Sequence, residues 1–220
     1  MNLFPLLTLL LPPCRMKNTI LNLFSNKYIH NDAYIGFSFI NVKHLTVAEN
    51  AKIKHLVKMK GLESVVLKSN SYVGNHNSFY CNATIGDNGH FLLGVGSELV
   101  KQNALDLTSN ITIGDNVVIG GYGTQFWTHG FDTQRNRLQG EICIADNVYI
   151  GSSTIFNLGV SICSDVSVGA GSVVSKHIIT SGFYAGVPAI KKNDNSLFNE
   201  TDVIKLLTKK GNSQFFEKKS

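Results

Sequence analysis

The sequence predicts an all-β chain wound as a parallel β-helix, and three observations predict it. Counting in sixes from Ile144 lands on Ile144, Ile150, Phe156, Ile162, Val168 and Val174, and every one is apolar. The positions two residues earlier, Ile142, Val148, Thr154, Val160, Val166 and Ser172, are all small or β-branched. The repeat is then interrupted between about residues 125 and 140 by a segment rich in polar and aromatic side chains.

A six-residue period fits neither an α-helix nor a long flat strand. Each hexad reads as a short strand followed by a turn, with two side chains pointing inward. So short a face cannot bury itself, so successive coils must stack into one continuous core. A β-sandwich of short strands is the competing architecture, but its strands would vary in length and spacing.

The rule recurs upstream at Ile113-Gly114 and Ile119-Gly120, and Ile35-Gly36 reads as an early member. A weaker register runs through Leu67, Val73, Phe79, Ile85 and Phe91, with Gly74 and Gly86 behind two of them. Registers change between about 92 and 110, where a loop or irregular coil is expected. The chain divides into a partly helical N-terminal segment (1–29), the β-helix (30–190) and a helical tail (191–220). Helices are expected over 14–25 and 197–210. In the second, Leu197, Val203, Ile204, Leu206 and Leu207 give an imperfect apolar face that would cover coil edges.

Composition sets the outer bounds. With 220 residues, 43% of them hydrophobic, and 20 glycines against 4 prolines, the chain reads as one globular domain. A net charge of +5 is a modest basic balance. Lys52, Lys54, Lys58 and Lys60 form one cluster, and pairs fall at Lys191/Lys192, Lys209/Lys210 and Lys218/Lys219. They read as solvated surface, and no basic stripe interleaved with aromatics points to nucleic acid. Cys14, Cys81, Cys143 and Cys163 form no CxxC pair. The last two lie in apolar runs, so buried free thiols and a reducing, cytoplasmic compartment are expected. Leu3–Leu11 is an apolar run broken by Pro5 and followed by Pro12 and Pro13. No basic region precedes it, and it falls short of the roughly 20 residues that span a bilayer. It reads as a segment packed on the body or a partner subunit; loose contact with a membrane surface, aided by Arg15, Lys17 and Lys27, is the second reading.

Five stretches carry a family resemblance: ITIGDNVVIGGYG (111–123), WTHGFD (127–132), ICIADNVYIGSSTIF (142–156), VSVGAGSVVSK (166–176) and YAGVPAIKK (184–192). In this order they resemble the hexapeptide-repeat acyltransferases, especially the branch of sugar, capsule and lipopolysaccharide O-acetyltransferases. The resemblance implies a left-handed parallel β-helix of triangular section, assembled as a homotrimer with active sites between neighbouring subunits. Handedness comes from the family alone, since parallel crossovers are in general right-handed. It also implies acetyl-CoA as donor, no metal, and a sugar or nucleotide-sugar hydroxyl as acceptor.

His129 stands in the interrupting segment, where extruded loops on regular scaffolds carry function. An imidazole is the side chain type best suited to act near neutral pH as a general base that deprotonates the acceptor hydroxyl. A base gains from a partner that fixes its tautomer. Asp132 is the nearest candidate, with Asn75 and Glu141 as alternatives. His30, His44, His55, His90 and His177 lack the loop placement. By resemblance, Tyr149, Gly151, Ser152 and Ser153 form the wall that meets the pantetheine arm. Many relatives have tryptophan and a glycine pair there, so Tyr149 and the two serines are departures. Ala170, Gly171 and Ser172 continue that groove, and Lys176 and Lys191 are candidates for the donor's phosphates. Tyr122, Trp127 and Phe131 offer aromatic surface to a sugar ring, while Asn75 and His76 would meet substrate across a subunit boundary.

No Ser/His/Asp order suggests a covalent acyl-enzyme, which favours direct transfer in a ternary complex. N-acylation of an amino-sugar nucleotide is the nearest enzymatic alternative. A zinc site like that of β-helical carbonic anhydrases would need converging histidines, and His76, His90 and His129 do not match that pattern. A noncatalytic trimeric scaffold is the alternative of a different class.

Overall fold

The computed structural model describes residues 3–81, 89–194, 203–210 and 213–218. Two short helices, α1 (Leu3–Leu10) and α2 (Arg15–Leu21), open the chain. The next residues wind through seven stacked coils of a left-handed parallel β-helix, each coil with three sides. The first coil is β1 (Lys27–Ile29), β2 (Tyr34–Ile35) and the first half of β3 (Phe39–Val47). The second takes the rest of β3, then β4 (Lys52–Ile53) and the start of β5 (Lys58–Leu67). The third is the rest of β5, β6 (Tyr72–Val73) and β7 (Ser78–Tyr80). The fourth is β8 (His90–Leu93), β9 (Glu98–Lys101) and β10 (Ala104–Asp106). The fifth is β11 (Ile111–Ile113), β12 (Val118–Tyr122) and β13 (Gln125–Phe126).

A hairpin of β14 (His129–Phe131) and β15 (Arg137–Gln139) then leaves the stack. The sixth coil is β16 (Ile142–Ile144), β17 (Tyr149–Ile150) and β18 (Ile155–Phe156). The seventh is β19 (Ser161–Ile162), β20 (Val166–Val168) and β21 (Val173–Val174). Ile178 bridges to Ile162 to start another turn, β22 (Gly182–Ala185) pairs with β20, and β23 (Ile190–Asn193) folds back antiparallel on β22.

Strand register turns the six-residue count into three columns. Ile144 and Ile162 face inward on the first side, Ile150 and Val168 on the second, and Phe156 and Val174 on the third. The third column also holds Met59, Phe79, Leu105 and Phe126. The rings of Phe126 and Phe156 stack at 4.7 Å, a contact worth about 1 kcal/mol beyond the area it buries. Two residues before this column stand Asn77, Asn103, Thr124, Thr154 and Ser172, all buried, and they tie the corner together. Asn77 Oδ1 accepts from Asn103 N, Asn103 Oδ1 accepts from Thr124 N, and Thr154 and Ser172 donate to the carbonyls of Gly151 and Gly169. Between the first and second sides, Asn50, Asn70, Asn116, Asn147 and Asp165 all take positive φ, which short Asx side chains tolerate best.

Four expectations need correction. Leu67, Val73 and Phe79 do occupy the three columns, but Phe91 stands two residues before the inward Leu93 rather than at the column itself. Ile85 lies outside the described residues. The register therefore changes before residue 90, and 92–110 belongs mainly to the regular fourth coil. The helix expected over 14–25 is the shorter α2. In place of a helix over 197–210, β24 (Val203–Lys210) and β25 (Ser213–Lys218) form an antiparallel pair that joins no other strand among the described residues. Residues 195–202 lie outside the described residues. The β-branched and aromatic content of these strands, and Gly211-Asn212 between them, favour a hairpin over a helix. Cys143 is exposed and Cys163 half-buried, because the alternation that sends Ile142 and Ile144 inward sends Cys143 out. Among the described residues none of the four cysteines forms a disulfide. Among the described residues no helix is long and apolar enough to cross a membrane.

The N-terminal apolar run packs on the body as α1. Phe4 and Thr8 are buried, and Thr8 bonds both Ser38 N and Ile40 N through its carbonyl and hydroxyl oxygens. Lys17 locks this cap. Its buried ammonium donates to the carbonyls of Thr8, Leu11, Ile35 and Gly36 at 2.8–3.0 Å, joining the end of α1 to the first coil. Burial lowers its pKa from 10.5 to about 8. Replacing it orphans several buried carbonyls, so Lys17→Met is expected to cost about 2 kcal/mol in chemical denaturation. Folding lowers this pKa, so the folded state holds the proton less tightly than the unfolded one. Stability relative to the variant therefore rises as pH climbs from about 8 towards 10.5.

Candidate active site

On a strand whose inward residue is Leu105, Asp106 points outward from the third side, yet it is fully buried. What covers it is the segment that departs after β13. Thr128 Oγ1 donates to the Asp106 carbonyl (2.9 Å) and accepts from Ser109 N (2.8 Å), fixing the first residue of the excursion to the coil below. Gly140 N donates to the Thr128 carbonyl and closes the hairpin's base. Arg137, on the returning strand, donates to Thr108 Oγ1 at 3.1 Å. The hairpin is thereby held over the carboxylate.

His129 Nδ1 meets Asp106 Oδ2 directly. The other carboxylate oxygen accepts from Thr108 N (3.1 Å) and Thr108 Oγ1 (2.8 Å). A carboxylate only accepts, so Nδ1 carries a proton, and in the neutral ring Nε2 holds the lone pair. The His129 side chain is 20% exposed against 0% for Asp106, so the ring reaches solvent while its anchor does not. The Phe131 ring stands edge-on to the imidazole at 5.9 Å. Tyr80, next to Asp106 on β7, has its phenol pKa raised, first by burial and then by the Asp106 charge.

The partner of His129 is thus Asp106, and not Asp132. The Asp132 carboxylate accepts from Gln134 N, Asn136 N and Asn136 Nδ2, which shapes the hairpin turn and lowers its pKa through the Asn136 bonds. Asn75 Oδ1 accepts from His55 N, and Glu141 accepts from Asn110 Nδ2, so neither touches His129. His76 is an exposed corner residue with φ 61°.

The donor-wall residues fall mainly on one edge, the corner between the second and third sides. Gly151, Ser152, Ser153, Ala170 and Gly171 stack there, with Gly171 N bonded to the Ser152 carbonyl and Ser153 N to the Tyr122 carbonyl. Gly151 has to be glycine, because a Cβ would lie 2.5 Å from Ala170 N. Tyr149 packs against Gly120 on the second side. Ser172 departs from the expectation: it is buried with its hydroxyl on the Gly169 carbonyl, so it ties the corner instead of lining a groove. Lys176 stands at the opposite edge, after β21, and the Lys191 ammonium on β23 is held by Asp194 at 2.6 Å. His129, Trp127 and Phe131 lie at that opposite edge too. Within one chain the proposed base and the proposed donor wall are therefore at the two ends of one face. Tyr122, Tyr149, Trp127, Phe131 and Leu138 are all exposed around these edges. Among the described residues, no group of three or more His, Cys, Asp or Glu side chains is placed to hold a metal.

No family model matches the chain. It is 41% identical over 83 residues to the galactoside O-acetyltransferase of Escherichia coli K12, a match covering 36% of this chain and 41% of that protein. To the bifunctional protein GlmU of Thermodesulfovibrio yellowstonii it is 30% identical over 143 residues, covering 63% of this chain and 28% of the relative. The chain thus matches less than half the length of either. A solved hexapeptide-repeat-containing acetyltransferase from Vibrio cholerae superposes with a TM-score of 0.50 at 28% identity, over 58% of this chain and 72% of the other. Coils, excursion and likenesses together define a hexapeptide-repeat protein with a histidine–carboxylate pair. Over part of its length the chain is similar to hexapeptide-repeat acetyltransferases.

The geometry separates the two aspartates experimentally. Asp132→Ala is expected to loosen the hairpin turn, seen as faster tryptic cleavage at Arg135, with the melting temperature nearly unchanged. Asp106→Ala, which empties a buried network, is expected to cost about 2–3 kcal/mol of stability.

Proposed function

We propose that the protein transfers an acetyl group from acetyl-CoA to a hydroxyl of a sugar or cell-surface polysaccharide precursor, with His129 as general base. The observation that carries this reading is the Nδ1 contact with buried Asp106, which leaves Nε2 as the basic atom of a partly exposed ring. Nε2 accepts the hydroxyl proton as the acceptor oxygen bonds to the thioester carbonyl carbon. As the carbon–sulfur bond breaks, the imidazolium returns that proton to the departing thiolate. Asp106 orients the ring and stabilises the transient imidazolium, the role a buried carboxylate plays beside other catalytic histidines.

For the donor, the corner formed by Gly151, Ser152, Ser153, Ala170 and Gly171 offers backbone and hydroxyl groups along an open edge. Gly171, at φ 68° with open space where a Cβ would point, leaves room for a chain to lie against the backbone. Base and wall at opposite edges of one face, with exposed aromatic residues around both, support a homotrimer in which one copy's hairpin meets the next copy's wall. A cytoplasmic location fits cysteines without a disulfide among the described residues and an acyl-CoA donor. N-acylation of an amino-sugar nucleotide would use the same base, whereas a noncatalytic scaffold leaves the buried carboxylate on a partly exposed imidazole unexplained.

The test is acetyl-CoA turnover, read as acceptor-dependent thiol release against a panel of sugars and nucleotide sugars. His129→Ala is expected to lower kcat about 10²–10⁴-fold, and Asp106→Asn to lower it by a smaller factor, both without comparable change in the acetyl-CoA KM. Turnover unchanged in folded His129→Ala would remove the histidine as base.

A further inference from the structure

The third side of the β-helix carries the His129–Asp106 pair at mid-length, and its outer surface differs on the two sides of that pair. Towards the C-terminal coils the outward residues in register are Gln125, Ile155 and Val173, neutral or apolar. Towards the N-terminal coils they are Ala104, Ser78 and Lys58 in one row, and Asp106, Tyr80 and Lys60 in the next. Adjacent strands lie about 4.8 Å apart, so the Lys60 backbone stands about 10 Å from that of Asp106. That is the span of a sugar ring and its substituents.

These N-terminal residues enclose a space. A cavity of about 340 Å³ is lined by Lys58, Lys60, Gly61, Ser78, Phe79, Tyr80 and Cys81, with no carboxylate among the described residues of its wall. Three lysines elsewhere are ion-paired, Lys43 with Glu63, Lys68 with Asp115 and Lys191 with Asp194. Lys58 and Lys60 make no ion pair among the described residues. Tyr80, at the end of the cavity nearest Asp106, keeps its phenol protonated because burial and the Asp106 charge both raise its pKa, so it is a hydrogen-bond donor beside the base. Two unneutralised ammonium groups and a neutral phenol donor, one strand and two strands from the carboxylate, form a site for an anion.

We propose that the acceptor carries an anionic group, a carboxylate or a phosphate, which docks on Lys58 and Lys60 while its hydroxyl reaches His129. The inference rests on the acyl-transfer reading and narrows its substrate class. The charge contrast along the face also assigns directions: the anionic acceptor approaches from the N-terminal coils, and the neutral pantetheine arm from the C-terminal ones. Ammonium–oxyanion bonds in a partly enclosed site are among the stronger polar contacts, so the preference should be measurable.

The test compares a neutral hexoside, the matching uronide and a hexose phosphate as acceptors, in wild type, Lys58→Ala/Lys60→Ala and the charge-preserving Lys58→Arg/Lys60→Arg. At least one anionic acceptor is expected to exceed the neutral one about tenfold in kcat/KM, and the uronide and phosphate arms say which. That preference should collapse in the alanine pair through acceptor KM and survive in the arginine pair. A neutral acceptor used as well as both anionic ones would overturn the proposal. So would an alanine pair that raises the KM of acetyl-CoA, since the lysines would then serve the donor's phosphates. Binding of glucuronate and of inorganic phosphate, followed by ligand-observed NMR, reads the site without turnover. Anion binding that depends on the lysine pair, with no thiol release from any acceptor, would sink the acyl-transfer reading and leave an anion site without it. No lysine-dependent binding of either anion, beside active transfer to neutral sugars, would sink this inference alone.

Discussion

Everything in this molecule depends on each coil closing in three sides of about six residues. Closure sets the inward columns, so Ile144, Ile150 and Phe156 lie one per side and meet Ile162, Val168 and Val174 in the coil above. It also fixes the corners, where Asx residues accept positive φ and buried Asn, Thr and Ser side chains bind backbone groups. A stack built this way tolerates extra residues only where the chain can leave and return without disturbing the columns. The β14–β15 excursion does so after β13, at the corner between the third and first sides, and it returns directly into β16.

That exit point creates the site. Asp106 ends the third side one coil earlier, at the same corner, so the departing chain passes over an outward-facing carboxylate and buries it. A buried carboxylate is costly unless its oxygens are occupied. Here Thr108 fills one oxygen and His129 the other, while Thr128 ties the excursion to the strand's own carbonyl. The histidine is therefore positioned by the cost of leaving Asp106 unsatisfied, and its ring stays partly exposed. The same coil geometry puts the glycine- and serine-rich corner at the far edge of that face, which is why assembly of several copies enters the account of function.

The regular part of this design was legible in the sequence, because inward positions repeat every six residues over the C-terminal coils and the interruption stands out against them. The histidine was legible for the same reason. Asp106 was not, and the cause is specific. Phe79 and Phe91 are both buried aromatics twelve residues apart, so the count in sixes runs through them unbroken. In fact Phe91 stands two residues before a new column residue, Leu93. Once that slip is made, residues 92–110 look irregular, and Asp106 no longer reads as the outward residue beside Leu105, one coil below Thr128. Asp132 attracted notice by closeness in sequence, whereas a β-helix makes neighbours of residues one coil apart. In the C-terminal tail the apolar residues lack a clear period of either kind, and the β-branched and aromatic content decided for a hairpin.

The central claim is that Asp106 holds His129 with its proton on Nδ1 and a basic Nε2. Nitrogen-15 spectra of histidine-labelled protein read this directly, since protonated and unprotonated ring nitrogens resonate far apart. The account predicts that neutral His129 is the Nδ1–H form in wild type, and that this preference weakens or reverses in Asp106→Asn. A wild-type His129 that carries its proton on Nε2, or one whose tautomer ignores the loss of the Asp106 charge, would contradict it.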